Sequence, residues 1–464
     1  METIKKINII YIILLLMIMG CTRIPKGTSV RGTPYYTRNV DFLMDETYVK
    51  DGERHVKQQI LDYALDIMDS AEEFIVVDMF LYNSIYDSDS DFPAVTKAVT
   101  EKLIEKKNEG LEIYLITDEI NTFYKVYDIW EFKALKEAGI KIIETDMTKV
   151  RDSNITYSIL WRTVFKWFGT GGIGWVKNPF SEDAPRVTVR GYLKLLNLKA
   201  NHRKVVVSEK KALVASMNFH DASGYHSNIG FGVEGPVVKE ILNSEIDVAS
   251  FSGENISLKI RESEEEEGEI RVTLLTEKMI GENIEDLINT TEPGNEIKIG
   301  MFYLGDRRVI GELIKAGKRG VKIKIILDGN IEAFGRNKNG IPNRVVAWEL
   351  KRKGGGNIEV RWYNTSGEQF HSKFIIVNKE DEVILIGGSA NFTKRNIQGY
   401  NLETDLMLEA PIENKLSLKA NSYFDNMWGN IGGDYTLSYE KKAEESYVKY
   451  FLYRFQEFSG WSTF

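Results

Sequence analysis

The chain repeats itself. Phe74–Tyr82 reads as a buried strand, and Ile297–Leu304 reads as a second copy of it. A helical pattern closing on glycine follows each, over Ala94–Gly110 and Val309–Gly320. Next come the strands Leu111–Asp118 and Val321–Asp328, both ending in Asp, and then the helices Trp130–Gly139 and Arg344–Gly354. Phe231–Pro236 matches Leu406–Pro411 at an offset of 175 residues. Strands alternating with helices build α/β units. Two copies in 464 residues predict two tandem sheets, each mixed or mostly parallel, flanked by helices and related by a pseudo-two-fold axis.

Matching chemistry sits in both copies. The first reads Asn201-His202-Arg203-Lys204 and then Ser216-Met217-Asn218; the second reads Phe370-His371-Ser372-Lys373 and then Ser389-Ala390-Asn391. On a strand, residues i and i+2 share a face. Each half therefore offers an imidazole with an ammonium and a hydroxyl with an amide. The paired motifs resemble the signature of the phospholipase D superfamily, His-x-Lys-(x)4-Asp followed by Gly-Ser-x-Asn, over about residues 46–430. The chain departs from that signature at Glu209 and Asn378, where the family has Asp, and at Ala215, where it has Gly.

The resemblance implies two phospholipase D-like repeats and one active site where the halves meet. His202, Lys204, Ser216, Asn218, His371, Lys373, Ser389 and Asn391 would be catalytic. A downstream carboxylate often orients a catalytic His in this superfamily, and Glu403 occupies that place after the second motif. The 175-residue offset puts Asn228 opposite it in the first half. Glu403 is therefore expected to serve His371, leaving His202 without a carboxylate. A carboxylate raises an imidazole's pKa, which suits His371 as general acid and His202 as nucleophile, through a phosphohistidine. Lys204, Lys373, Asn218 and Asn391 would hold the phosphate oxygens. No cofactor and no metal ligand set is expected. His220 and His226, beside the first motif, either line the pocket or are satisfied within a polar loop.

The N-terminus bears on location. Lys5 and Lys6 precede the apolar run Ile7–Met19, and Gly20 precedes Cys21, the one cysteine of the chain. This reads as a signal peptide over 1–20, and Ile18–Cys21 resembles the lipobox of bacterial lipoproteins, with Cys21 lipidated. An uncleaved anchor helix is the alternative, although 13 apolar residues are few for a span. Both put the folded part outside the cytoplasm on a membrane. The expected order is a tether over 21–45, a first repeat over 46–251, an acidic linker over 252–271, a second repeat over 272–430 and a helical tail over 431–464.

Charge narrows the partner. The chain carries 60 Lys and Arg against 68 Asp and Glu, net −8, which disfavours a polyanion except at a local patch. The insert 147–200 is such a patch. Residues 149–204 hold eleven Lys or Arg against three acids, with Trp161, Phe165, Trp167, Phe168, Trp175 and Phe180 interleaved. Tyr157–Phe168 is amphipathic. Membrane phospholipids, anionic ones first, are the expected partner. A packed insert with charges only at its rim is the second reading, and a single-stranded nucleic acid the third. No obligate protein partner is implied. The expected function is hydrolysis or transphosphatidylation of phospholipids, cardiolipin-synthase-like exchange included. The alternatives are a secreted, tethered nuclease and an inactive lipid-binding protein.

Overall fold

A computed structural model describes residues 24–462 and 464, apart from 39, 88–90, 261–267, 334–335 and 338. The signal segment, Cys21 and the glutamate run of the linker lie outside the described residues.

Two sheets share one plan. In the first half the strands are β1 (Asp41–Lys50), β2 (Phe74–Met79), β3 (Glu112–Thr117), β4 (Lys141–Glu144), β5 (Lys204–Ser208), β6 (Lys211–Ala215) and β7 (Asn228–Glu234). In the second half they are β8 (Ile270–Thr276), β9 (Glu296–Met301), β10 (Lys322–Leu327), β11 (Ile358–Tyr363), β12 (Lys373–Asn378), β13 (Glu382–Gly388) and β14 (Thr404–Pro411). The spatial orders are β1-β7-β6-β5-β2-β3-β4 and β8-β14-β13-β12-β9-β10-β11, the same order twice, each with added edge strands.

Both sheets are mixed. Only β2-β3-β4 and β9-β10-β11 run parallel, because only there does a helix carry the chain back. The remaining pairs are antiparallel. A two-residue link between β5 and β6 permits nothing else.

The core is layered. Each sheet turns one face to its own helices. The other face meets a central core containing Val205, Val207 and Phe231 of one half and Phe374, Ile376 and Leu406 of the other. The helices Pro236–Phe251 and Lys415–Gly429 fill the same layer. Strands covered on both sides read as unbroken apolar runs, as β5 and β12 do. The helix Arg307–Arg319 is typical of the outer layer. Asp306 caps its first amides, Val309, Ile310, Leu313 and Ala316 face inward, and Gly320 ends it at φ +99°.

The structure corrects both ends of the chain. The stretch expected as a tether is folded where it is described: Tyr35–Thr37 pairs with β8, and β1 begins at Asp41 inside the first sheet. The tail is only partly helical. Thr436–Ser438 extends the second sheet beside β11 before the helix Tyr447–Ser459 begins.

Candidate active site

The two motifs meet where the halves cross. Each His stands two residues before a buried strand, in a turn held by an Asp that follows the strand two places away in the sheet. Asp118 accepts the Asn201 amide at 2.8 Å, and Asp328 accepts the Phe370 amide at 3.0 Å. The turns also bond across the interface. The His202 amide donates to the Leu402 carbonyl at 2.9 Å, and the Ser227 amide donates to the Gln369 carbonyl at 3.0 Å. Each His is thereby laid against the loop that precedes the last strand of the opposite half.

This crossing reverses the expected partners. Glu403 does not serve His371. Its carboxylate lies 2.9 Å from Nδ1 of His202, while Nδ1 of His371 lies 3.1 Å from Oδ1 of Asn228. The 175-residue offset pairs Glu403 with Asn228, and each reaches the imidazole of the other half. Ser389 donates to Glu403, and Ser216 donates to Asn228 Oδ1 at 3.3 Å. Each serine thus orients the group that orients a histidine. Asn396 also donates to Glu403.

The lysines are buried beneath the imidazoles. Lys204 Nζ donates to the His202 carbonyl at 2.7 Å and lies 5.3 Å from the Phe80 ring; Lys373 bonds the His371 carbonyl and lies 5.2 Å from the Phe302 ring. The same rings pack on His202 and His371, at 4.9 and 5.1 Å. Phe80 and Phe302 are site residues that the motifs do not include, although each directly follows the Met that ends β2 or β9. Asn218 Oδ1 accepts the Leu81 amide at 3.4 Å, whereas Asn391 Oδ1 is buried with no hydrogen-bond partner among the described residues.

The electrostatics follow from burial. Desolvation, then Lys204, Lys373 and Arg395, hold His202 well below an ordinary imidazole. Desolvation, then Lys373, His226, Lys204 and His202, do the same to His371. Burial lowers Lys204 to about 7 and raises Glu403 to about 8. The pocket disfavours its own charges, and a bound monoanion would counter the ammonium groups that depress both imidazoles.

Residues around the motifs support them. Arg203, between His202 and Lys204, points away from the site. It is fully buried against Glu277 at 2.7 Å and Glu245 at 3.1 Å, while Asn201 bonds Asp78 at 2.7 Å. Glu209 accepts the Glu72 amide at 2.9 Å and Asn378 pairs with Asn421 at 2.9 Å, so neither departure from the signature reaches the site. Ala215 has a compensating neighbour. It pairs with Gly230, whereas Gly388 pairs with Asp405. Of the loop histidines, His226 packs 5.9 Å from His371 and accepts the Gln369 amide, while His220 contacts the Ile85 carbonyl. Among the described residues no three His, Cys, Asp or Glu side chains are grouped as a metal would need.

Residues 284–428 match the family described as cardiolipin synthase, PLD-like domain. The match lies within the second half, and the first half repeats that half's strand order and its motif. Crystallised phosphatidylserine synthase of Haemophilus influenzae Rd KW20 superposes with a TM-score of 0.57 at 11% identity, covering 92% of this chain and 96% of that one. Polyphosphate kinase of Porphyromonas gingivalis gives 0.46 at 13% identity, covering 90% of this chain and 52% of that one. No curated protein matches the chain. Among the described residues no helix is long and apolar enough to cross a membrane.

Proposed function

We propose that this protein is a phosphatidyltransferase of the phospholipase D type that works on membrane phospholipids through a phosphohistidine. The observation that carries the reading is the unequal pair of partners: a carboxylate on one buried imidazole and an amide on the other. Nδ1 of His202, held by Glu403, leaves Nε2 free to attack phosphorus. A nitrogen–phosphorus bond forms as the bond to the leaving alkoxide breaks, and Glu403 steadies the positive charge that develops on the ring. His371 gives its proton to the leaving oxygen. It then takes a proton from water or an acceptor alcohol, which attacks phosphorus and frees His202.

The roles are those expected from sequence, but the reason has changed. The carboxylate supports the nucleophile rather than the acid. The reading as an inactive lipid-binding protein rested on Asn228 standing in place of a carboxylate; the carboxylate of Glu403 beside His202 supports activity over it. Lys204, Lys373, Asn218 and Asn391 hold the non-bridging oxygens, and the lipobox-like Cys21 tethers the enzyme outside the cytoplasm. The likeness to a phosphatidylserine synthase fold and the cardiolipin-synthase family match support a lipid substrate over a nucleic acid.

The test incubates the protein separately with labelled phosphatidylglycerol, phosphatidylethanolamine and single-stranded DNA, with and without an acceptor alcohol. Exchange or release of a lipid head group, with label trapped on His202, is the expected result. Cleavage of DNA alone, or label on His371 alone, would overturn the assignment.

A further inference from the structure

The helix Tyr447–Ser459 faces the wrong way for a packed helix. Only Tyr453 is buried, its hydroxyl donating to the Gly305 carbonyl at 2.6 Å. Phe451, Phe455 and Phe458 are 73%, 53% and 81% exposed, at spacings that put them on one stripe. A stripe of aromatic side chains on the solvent side is costly to leave wet.

The helix ends on the insert. The Trp461 ring packs edge-on against Tyr157 at 5.5 Å. Arg395 ties the two segments together, donating to the Ser462 carbonyl at 3.1 Å and the Leu198 carbonyl at 3.3 Å. Leu198 lies four residues before His202, and Arg395 lies eight before Glu403. The junction therefore flanks the nucleophile's side of the site. The insert packs Val187 against Phe123 and Tyr124 of the first repeat in a small core. Its backbone is one α turn and a half over Ile155–Leu160, then a π turn and a tight final turn to Phe168. Trp161 points inward, whereas Trp167, Phe168, Ile173 and Trp175 are between 65% and 93% exposed.

Much of the insert's basic excess is spent inside the protein. Arg162 and Lys199 pair with Asp152, Lys194 with Glu119, and Arg203 and Lys204 are buried. Lys166, Lys177, Arg186 and Arg190 remain exposed, against Glu182 and Asp183, over residues 155–190. Arg454 adds a cation on the exposed side of the tail helix. The surface is locally basic in a chain of net −8.

We propose that the insert and the tail helix form one composite face that seats the protein on an anionic bilayer beside the His202 side of its site. Aromatic and basic side chains interleaved at a surface suit the boundary of head groups and acyl chains. A second copy of the chain in a self-complementary contact would set these cations against themselves. The proposal rests on the phospholipid reading for the substrate this seating delivers, but its test does not depend on turnover.

The full-length chain carrying Cys21→Ser receives one new cysteine at a time: Phe451→Cys, Phe458→Cys, Ile173→Cys or, as a control on another helix, Leu418→Cys, which is 57% exposed. Each is labelled with an environment-sensitive dye and mixed with phosphatidylglycerol–phosphatidylcholine vesicles, with and without brominated acyl chains. Dyes at 451, 458 and 173 should shift to the blue and be quenched by bromine, while the dye at 418 should do neither. Equal response at all four positions, or none, overturns the proposal. A shift without vesicles that grows with protein concentration assigns the face to a second copy. A shift with single-stranded DNA and none with vesicles assigns it to nucleic acid. A variant with Phe451→Ser, Phe455→Ser and Phe458→Ser, all exposed in the fold, should lose about tenfold in kcat/KM on vesicles and keep its rate on a soluble p-nitrophenyl phosphodiester. Dyes that embed without phospholipid turnover would uphold the face and defeat the catalytic reading; turnover with unmoved dyes would do the reverse.

Discussion

Glu403→Gln removes one buried negative charge and almost no volume. In the wild-type site both carboxylate oxygens lie 2.9 Å from Nδ1 of His202. When Nε2 bonds phosphorus the ring becomes cationic. Opposite unit charges about 4 Å apart in an effective dielectric of about 20 attract by about 4 kcal/mol. Losing that attraction slows the attack about 10³-fold. Attack on phosphorus is common to every substrate, so an alkyl phosphodiester and a p-nitrophenyl phosphodiester should suffer alike. Pre-steady-state trapping should find little phosphoenzyme with either. Burial raises Glu403 to about 8, so its carboxyl protonates as pH falls through that value. The gap between wild type and variant should therefore narrow from pH 9 to pH 6. Rates against pH for both substrates, with acid-quench trapping, decide the matter. If Glu403→Gln crippled the alkyl ester and spared the aryl one, whose leaving group needs no proton, Glu403 would belong to the acid and the crossed pairing would be refuted.

Other outcomes follow from neighbouring geometry. Asn228→Asp puts a carboxylate 3.1 Å from Nδ1 of His371 and should raise that imidazole by about 1–3 pH units, read by ¹⁵N histidine titration. Arg203→Met leaves Glu245 and Glu277 uncompensated and should cost about 3–5 kcal/mol in urea unfolding at neutral pH. The deficit should shrink at pH 5, because burial already raises Glu277 to about 7 and a group raised in the folded state stabilises it below that pH. At Gly388 a Cβ would stand 2.4 Å from the Thr404 carbonyl oxygen, with φ at +154°, so Gly388→Ala should cost about 1–3 kcal/mol in thermal unfolding. Ala215→Gly should cost less, about 0.5–1 kcal/mol, because Gly230 already leaves room opposite. Cys21→Ser should release the protein from the membrane fraction or leave an unprocessed precursor; unchanged fractionation and mass would refute lipidation.

Much of the fold was written in local pattern. Apolar runs covered on both faces, helices closing on glycine and Asp at matching strand ends need only neighbours in the chain, and all of them recur in the two sheets. What was hidden depends on distance through space. The offset of 175 residues found Glu403 and Asn228 as equivalents, but no local rule says that Leu402 bonds to the turn before His202 rather than to its own half. The insert's free charge is smaller than its composition for the same reason: Lys194 is neutralised by Glu119, which lies outside residues 149–204. The strand Tyr35–Thr37 is too short to show a period, so a Gly- and Pro-containing stretch read as tether.

The exchanged partners also say something about ancestry. Two separate copies of one half, each lending its orienting group to the other, would build a complete but symmetrical site. Identical chains cannot assign one imidazole to attack and the other to protonate by sequence. Joining the copies in one polypeptide lifts that constraint. One orienting position could remain an acid while its twin became an amide, and each change would act on the opposite half. A mutation in either copy is thus felt first by its sister, which ties the two halves to a common fate despite the sequence divergence between them.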